Sequence, residues 1–343
     1  METKGVNEDA PYDVIVVGGG VAGLTAALFA LRFGYFTLVI ERFAPGGHLV
    51  NLESIQDFPG FPNGVAGYEL APLVHEQAAN QGAKFQTAEV QGLVSKDTHW
   101  VVKATEREYH AKAVILATGS RSRDLGVPGE NELRGKGISN CASCDGPLYA
   151  DQVVGVVGGG NHALQEALTL ANYAAQVIMF HSQGAFTAQH VFQQRVLAHS
   201  KIKLRYNTIV DKILGEDAVS GVSIHDAVSG QTAEVALAGI FIYVGLEPNT
   251  DFLKDIVCLD EAGHILTDAW MRSELQGVFA AGNIRQGSAD FAVTSASDGA
   301  LAAMAVYRYI NEGSGRPPSG LLKRTPVCRA LDVPAARIFL RSP

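Results

Sequence analysis

The feature that most constrains the fold of this sequence is a glycine-rich turn placed between a strand and a helix. The apolar run from Tyr12 to Val17 predicts a strand, residues 18–23 read G-x-G-x-x-G, and a helical stretch continues to about Phe33. A second strand, Thr37 to Ile40, ends at Glu41, 18 positions after Gly23. Such glycines let the backbone approach a pyrophosphate, the helix start offers unpaired N–H groups, and the acid accepts from a ribose hydroxyl. The pattern predicts a βαβ unit that binds a dinucleotide.

The same pattern occurs a second time, about 140 positions later. Val153 to Val157 predicts a strand, residues 158–163 read G-x-G-x-x-A, Leu164 to Ala174 predicts a helix, and Val177 to Phe180 predicts the next strand. His181 stands 18 positions after the end of the second motif, where the first unit has its acid. Two such units predict two Rossmann-like domains.

Two further apolar runs indicate how the domains are connected. One, at 113–119, lies between the βαβ units, and the other, at 278–283, is followed by an apolar helix from about Val293 to Ile310. We therefore predict an α/β fold of two Rossmann-like three-layer domains, the second inserted into the first. The expected limits are 11–119 with 246–311 for the first domain, 120–245 for the inserted NAD(P)-binding-like domain, and 312–343 for a poorly ordered tail.

Charge and hydropathy exclude several classes of protein. The chain has 343 residues and a net charge of −8, which argues against nucleic acid or an anionic membrane surface as the main partner. It contains no apolar run of about 18 residues, so we expect no membrane span. The first residues are acidic rather than basic, unlike a secretory signal, and a cytoplasmic location is expected.

The four cysteines are too few for a framework of structural disulfides, and two of them form Cys141-Ala142-Ser143-Cys144. This C-x-x-C spacing closes a small disulfide ring and favours one thiolate when reduced. Asp145, directly after it, is placed to exchange the proton. Zinc is the alternative, but Cys258 and Cys328 are isolated and do not complete a tetrahedral set. Two inert buried cysteines are the other alternative. Cys328, in the tail, is read as a bystander or as a mobile thiol.

Several motifs, in their order along the chain, resemble the low-molecular-weight thioredoxin reductase family of FAD-dependent disulfide oxidoreductases. The similarity covers about Asp13 to Ile310. It rests on the first glycine-rich turn and on six further segments, which are Gly46-Gly47-His48-Leu49, Asp57-Phe58-Pro59-Gly60-Phe61-Pro62, Ala117-Thr118-Gly119, Val127-Pro128-Gly129-Glu130, Cys141-x-x-Cys144-Asp145-Gly146 and Ala280-Ala281-Gly282-Asn283.

The resemblance implies FAD in the first domain and catalysis by Cys141, Cys144 and Asp145. Cys144 would face the flavin and Cys141 would attack the substrate disulfide. It also implies a homodimer, and a thioredoxin-like protein or a small disulfide or dithiol as partner. The positions implied to contact FAD are Gly18, Gly20, Val21, Ala22, Gly23, Glu41, Arg42, Gly47, His48, Leu49, Thr118, Gly119, Gly282, Asn283 and Ala292.

One departure from the family concerns NADPH. The family continues from the second glycine-rich turn into His-Arg-Arg-x-x-x-Arg, whereas residues 181–187 read His-Ser-Gln-Gly-Ala-Phe-Thr. The three arginines that would bind the 2′-phosphate are absent, and no acid replaces them to hold the hydroxyl of NADH. NADPH is therefore doubtful as the donor.

Other departures lie near the expected flavin. Asn283 replaces the usual Asp, and Asp290-Phe291-Ala292 replaces Arg-Gln-Ala. Phe291 either shields a ring or packs in the core. His48 either donates to the flavin or fills the place of the usual Gln. His162 either meets an anion or caps a helix.

Three hypotheses follow. The first is a thioredoxin-reductase-like enzyme that exchanges electrons between FAD and the Cys141/Cys144 disulfide, with a donor other than NADPH, such as reduced ferredoxin or flavodoxin. The second is a flavin-dependent dithiol oxidase that passes electrons to O₂. The third is a flavin redox sensor without turnover, against which the intact cysteine pair and Asp145 argue.

Overall fold

A computed structural model of the chain describes residues 11–96 and 98–312. The strands are β1 Tyr12–Val17, β2 Thr37–Glu41, β3 Lys84–Thr87, β4 Val90–Ser95, β5 Trp100–Ala104, β6 Glu108–Leu116, β7 Ser120–Ser122, β8 Ile138–Ser139, β9 Val153–Val157, β10 Gln176–Phe180, β11 Ile202–Arg205, β12 Thr208–Gly215, β13 Val219–Asp226, β14 Thr232–Ala236, β15 Gly239–Ile242, β16 Leu246–Pro248 and β17 Val278–Ala280. The helices are α1 Val21–Arg32, α2 Gly67–Asn80, α3 Ala142–Asp145, α4 Asn161–Ala171, α5 His190–Ala198 and α6 Ala292–Asn311.

The first sheet has the order β3-β2-β1-β6-β5-β4, and β17 pairs with β6. Strands β3, β2, β1, β6 and β17 are parallel, while β4 and β5 add an antiparallel extension. The second sheet, β11-β10-β9-β15-β8, is parallel throughout. Because β17 rejoins the first sheet after the second is complete, the second unit lies within the first along the chain. The prediction of two Rossmann-like units is confirmed.

Alternating side chains explain the layers around the first sheet. Val14 and Val16 pack with α1 and α6 on one face, and Ile15 and Val17 pack on the other. Each face is apolar because a parallel sheet is covered on both sides. In the second unit the helices cover one face, and an antiparallel sheet of β12, β13 and β14 covers the other. This antiparallel sheet was not predicted.

The chain crosses between the two units at β7 and β16. These strands pair antiparallel, with Ser120 opposite Pro248. Thr118 and Asn249 add reciprocal bonds of 2.9 Å, since each side chain donates to the other's backbone carbonyl. These bonds therefore join the two segments that connect the units. The exact domain limits at 119 and 246 stay a prediction.

In the part of the chain that the structure describes, no helix is both long and apolar enough to cross a bilayer. The predicted tail, with Cys328, lies outside these residues from position 313 onward.

Candidate active site

The first glycine-rich turn joins the end of β1 to the start of α1. Gly18 has a φ of 104°, and a Cβ there would overlap the carbonyl of Ala117, so only glycine fits. Gly20 caps α1 with extended backbone and no side-chain bond. The first N–H groups of the helix therefore remain available to an anion. The side chain of Glu41 accepts from the Gly19 N–H at 2.6 Å, which places the acid over the turn.

A cavity of about 230 Å³ opens beside this turn. It brings together four of the predicted cofactor positions, which are Gly18, Glu41, Arg42 and Thr118. It is also lined by Arg121, a residue that sequence reasoning missed. The cavity lies at the carboxyl ends of parallel strands, where open α/β sheets bind their ligands. Gly18 and the acid Glu41 give its lining the two features that a dinucleotide site uses for pyrophosphate and ribose.

The segment from Gly46 to Leu49, which contains three predicted cofactor positions, packs against the same turn. The Gly46 N–H donates to the Gly19 carbonyl at 2.8 Å, and a Cβ at Gly47 would lie 3.0 Å from the Cα of Gly20. Leu49 is buried in the adjoining core. His48 bonds through Nε2 to the Ser120 carbonyl at 2.6 Å. Because a carbonyl only accepts, Nε2 carries a proton and donates it to the Ser120 carbonyl.

The end of β17 completes the first site. Gly282 lies against the start of α1, because a Cβ there would approach the Ala22 side chain to 2.9 Å. The Asn283 Oδ1 lies 3.0 Å from the hydroxyl of Ser288 and 3.2 Å from that of Ser295. With Oδ1 accepting from both hydroxyls, the Asn283 amide nitrogen remains a donor. Asn283 therefore presents donors where the family's aspartate would accept.

A buried ion pair that sequence reasoning missed supports this corner. Asp298 on α6 accepts from Arg285 at 2.6 and 2.8 Å and from the Gly282 N–H at 3.1 Å. The signal in the sequence was a lone acid within an apolar helix.

Helix α6 begins at Ala292, after the half-buried Phe291. The role of Phe291 stays a prediction.

The redox pair occupies a separate place on the inserted unit. Cys141 and Cys144 are bonded at an S–S distance of 2.05 Å. Cys141 precedes the four-residue α3, and its Sγ lies 3.2 Å from the Cys144 N–H. Cys144 is exposed, Cys141 and Asp145 are half-buried, and deep burial of the pair is thereby excluded. Among the described residues no group of His, Cys, Asp or Glu forms a metal site. Which sulfur lies toward FAD stays a prediction.

Three contacts link the second unit to the segment after His48. The Ser143 hydroxyl donates to the Asn51 carbonyl at 2.8 Å, and Gln165 donates to the carbonyl of Ser54. Arg195 donates to the side chain of Gln56 at 2.7 Å. Helices α3 and α4 therefore both contact residues 51–56, the segment that follows His48 of the first site.

A buried carboxyl group lies behind the redox helix. Glu166 on α4 is 1 % exposed, and its Oε2 accepts from the Ala142 N–H at 2.9 Å and from the Tyr243 hydroxyl at 3.3 Å. Burial raises the pKa of Glu166 to about 7. Sequence reasoning missed both Glu166 and Tyr243. The available signal was an acid on the apolar face of α4, next to Ala163, Ala167 and Leu170.

His162 is the second residue of the same helix and lies near His48 of the first site. Its ring lies 4.6 Å from that of Tyr243. Burial, and secondly the nearby His48, lower the pKa of His162 to about 4. The imidazole is therefore neutral at pH 7 and packs as an aromatic ring. This half-buried packing favours neither of the two roles considered from the sequence, an anion contact or a helix cap, and the N-cap of the helix is Gly160.

We expect acid to destabilise the protein through His162. A lowered pKa in the folded state means that the unfolded chain binds more protons as the pH falls from 6.5 to about 4. This difference costs up to about 3 kcal/mol of unfolding free energy. Denaturant unfolding at pH 7 and pH 4.5 measures the effect. Between these two pH values the free energy of unfolding of His162→Phe should fall by less than that of the unmodified chain. The exposed His190, replaced by Gln, is the control, and an equal loss in all three proteins would contradict this account.

The second glycine-rich turn differs from the first. The His181 ring lies directly over Gly159, where a Cβ would overlap it, and Nε2 bonds to the Ala185 carbonyl at 3.0 Å. The Thr187 N–H donates to the Gly159 carbonyl at 3.0 Å. Ser182, Gln183 and Thr187 are exposed on this rim. Residues 181–189 contain neither lysine nor arginine, so the segment folded over the turn offers no cation to a phosphate.

Comparisons with known proteins agree with this geometry. The pyridine nucleotide-disulphide oxidoreductase family matches residues 12–299. A thioredoxin reductase of Treponema pallidum is 39 % identical over 303 residues, which are 88 % of this chain and 98 % of that protein. One of Bacillus subtilis is 37 % identical over 308 residues, 90 % of this chain and 97 % of its own. The crystal structure of Lactococcus lactis thioredoxin reductase in the FR conformation is 35 % identical, covers 88 % of this chain and 99 % of its own, and has a TM-score of 0.86.

Proposed function

Because the chain belongs to the pyridine nucleotide-disulphide oxidoreductase family, as an FAD-dependent oxidoreductase acting on a sulfur group, we propose that it reduces a disulfide through Cys141 and Cys144 with a donor other than NADPH. Reduced ferredoxin or a similar one-electron carrier is the donor class we favour. The exposed rim of the second glycine-rich turn is the observation that carries this proposal, since Ser182, Gln183 and Thr187 stand where the family has arginines.

The size of this effect follows from the missing contacts. Each charge-assisted hydrogen bond to a phosphate contributes about 1.5–3 kcal/mol. Loss of three such contacts therefore lowers the affinity for NADPH by several orders of magnitude. Residues 181–189 contain neither lysine nor arginine as a replacement, and a nicotinamide donor would depend on other contacts. A carrier that docks near the flavin does not need the 2′-phosphate site.

FAD, when bound, supplies two-electron exchange with the redox pair. The residues proposed to hold it are those named from the sequence. The free N–H groups at the start of α1 would meet the pyrophosphate, and Glu41 would accept from the ribose. The Asn283 amide nitrogen would face the rest of the cofactor as a donor, and His48, held by its bond to Ser120, would lie beside the cofactor.

The chain's own residues perform the thiol–disulfide exchange. The Cys141 thiolate attacks one sulfur of the substrate disulfide, forming a mixed disulfide and releasing one substrate thiolate, which takes a proton from Asp145. The Cys144 thiol then gives its proton to the Asp145 carboxylate and attacks the Cys141 sulfur, which re-forms the internal disulfide and releases the second substrate thiolate. A thioredoxin-like protein or a small disulfide is the proposed substrate. A homodimer, a cytoplasmic location and domain limits at 119 and 246 complete the proposal.

The proposal predicts a specific response to reductants. Under anaerobic conditions NADPH and NADH should leave the flavin absorbance near about 450 nm unchanged over minutes, while photoreduced ferredoxin or a dithiol should bleach it. Reduction by dithionite controls for an accessible flavin. Rapid bleaching by NADPH would contradict the proposed donor and leave an ordinary thioredoxin reductase.

The absence of the arginines also favours a second function. A dithiol oxidase passes electrons to O₂ and needs no nicotinamide. Aerobic turnover with dithiols should then release one hydrogen peroxide per disulfide formed. Bleaching by dithiol without peroxide, together with reduction by ferredoxin, supports the reductase over the oxidase.

A further inference from the structure

Glu166 is a buried carboxyl group with one oxygen that has no hydrogen-bond partner. The side chain is 1 % exposed, and Oε1 is unpartnered. The other oxygen accepts from the Ala142 N–H and the Tyr243 hydroxyl. A buried polar atom without a partner costs free energy, and a proton on that oxygen removes the charge that makes the cost largest.

The group is attached directly to the redox helix. Ala142 is the residue after Cys141 and the first residue of α3, so its N–H links the carboxyl to the backbone that carries the pair. Among the described residues, the titratable groups found to act on Glu166 and on its partner are acidic or neutral. Glu53 acts on it across the contact with the first unit, Asp145 acts on its partner Tyr243, and His162 is a neutral ring against Tyr243.

We propose that Glu166 takes up one proton when the Cys141–Cys144 disulfide is reduced, and so acts as a positioning residue that links protonation to the redox state of the pair. This inference rests on the proposed function, because it requires that the pair cycles. Reduction adds two electrons and one proton to the disulfide and leaves one thiol and one thiolate. The new negative charge disfavours the nearby Glu166 anion, so a second proton enters from solvent and binds the carboxylate.

The direction of the pH effect follows from this change. With the disulfide intact, burial places the pKa of Glu166 at about 7. A thiolate at α3, the helix whose Ala142 N–H bonds to Glu166, raises that pKa further, because like charges disfavour ionisation. Between the two pKa values the reduced protein holds one proton more than the oxidised protein. Its equilibrium constant for reduction then falls by up to about tenfold more per pH unit than without the group.

The test measures the equilibrium of the pair with dithiothreitol between pH 6 and 9, in the full-length chain, by counting alkylated thiols after quenching. The absorbance of thiolates, recorded in the same samples, separates ionisation of the cysteines from proton uptake at Glu166. Above pH 7 the equilibrium constant for reduction of the pair should fall about threefold to tenfold more per pH unit in the unmodified protein than in Glu166→Gln. Tyr243→Phe, which removes a donor to the anion, should move the extra pH dependence upward. Glu274→Gln is the matched control, since Glu274 also has a raised pKa but belongs to a different part of the chain.

Each outcome has a defined meaning. Equal pH dependence in the unmodified protein and Glu166→Gln overturns the inference while the redox function stands. A pair that dithiothreitol does not reduce at any pH overturns the proposed function and the inference with it. If Glu166→Gln does not fold, an unshifted pH dependence in Tyr243→Phe overturns the inference.

Discussion

Replacement of Cys144 by serine is expected to lower disulfide turnover by about 10³-fold or more, because a hydroxyl cannot form the internal disulfide that carries the electrons. Cys144 is exposed, so the substitution should leave the folded structure intact. Cys141→Ser should have the same effect on turnover, since both sulfurs form the 2.05 Å bond. Turnover is measured with a disulfide substrate after dithionite reduction of the flavin.

The two serine variants separate the roles of the sulfurs. If Cys141 attacks the substrate, Cys144→Ser accumulates a stable mixed disulfide with it, detectable by mass spectrometry under non-reducing conditions. Cys141→Ser should trap far less. Trapping by Cys141→Ser alone would reverse the assignment, and substantial turnover in either variant would remove the pair from the mechanism.

Introducing the missing arginines should restore NADPH binding. The triple variant Ser182→Arg, Gln183→Arg, Thr187→Arg places three cations on the exposed rim of the second glycine-rich turn. At about 1.5–3 kcal/mol for each phosphate contact, and with less than full additivity, we expect NADPH to bind roughly 10³-fold more tightly. Calorimetric titration measures the affinity, and bleaching of the flavin by NADPH reports whether the bound nucleotide reduces it.

NADH is the matched control for this experiment, because it lacks the 2′-phosphate. Its affinity should change little in the triple variant. An equal gain for both nucleotides would indicate a general electrostatic effect. Tight NADPH binding by the unmodified chain would show that other residues already hold the phosphate, and would contradict the proposed donor class.

The local elements were predictable because their signals are local. Strand β1 and the turn from Gly18 follow from a run of branched apolar residues ending in glycines, and β2 was expected to within one residue. Helix α4 begins at Asn161, three residues before the predicted start, because Gly160 already adopts the extended N-cap conformation. The antiparallel β12–β14 sheet was missed, since its strands are partly exposed and contain charged and polar residues.

The candidate site was predictable only in part. The cysteine pair and Glu41 were predictable from their spacing, and the missing arginines from the resemblance to the family. Glu166 and Tyr243 are 77 residues apart, and Asp298 bonds to a glycine 16 residues before it, so no motif joins them. Their common signal was a polar residue in an apolar stripe, which indicates burial without naming a partner.

The sequence by itself determined the two glycine-rich βαβ units, the redox cysteines and the loss of cations after the second turn, because each depends on neighbouring residues and on a fixed repeat. Only the tertiary structure decided that His162 lies neutral beside Tyr243, that His48 donates a hydrogen bond to the Ser120 carbonyl, and that the Glu166 carboxyl group lies against the redox helix. These features depend on burial and on contacts between distant segments. Protonation follows from the surroundings that folding creates, and those surroundings cannot be read from residues that are neighbours in the sequence.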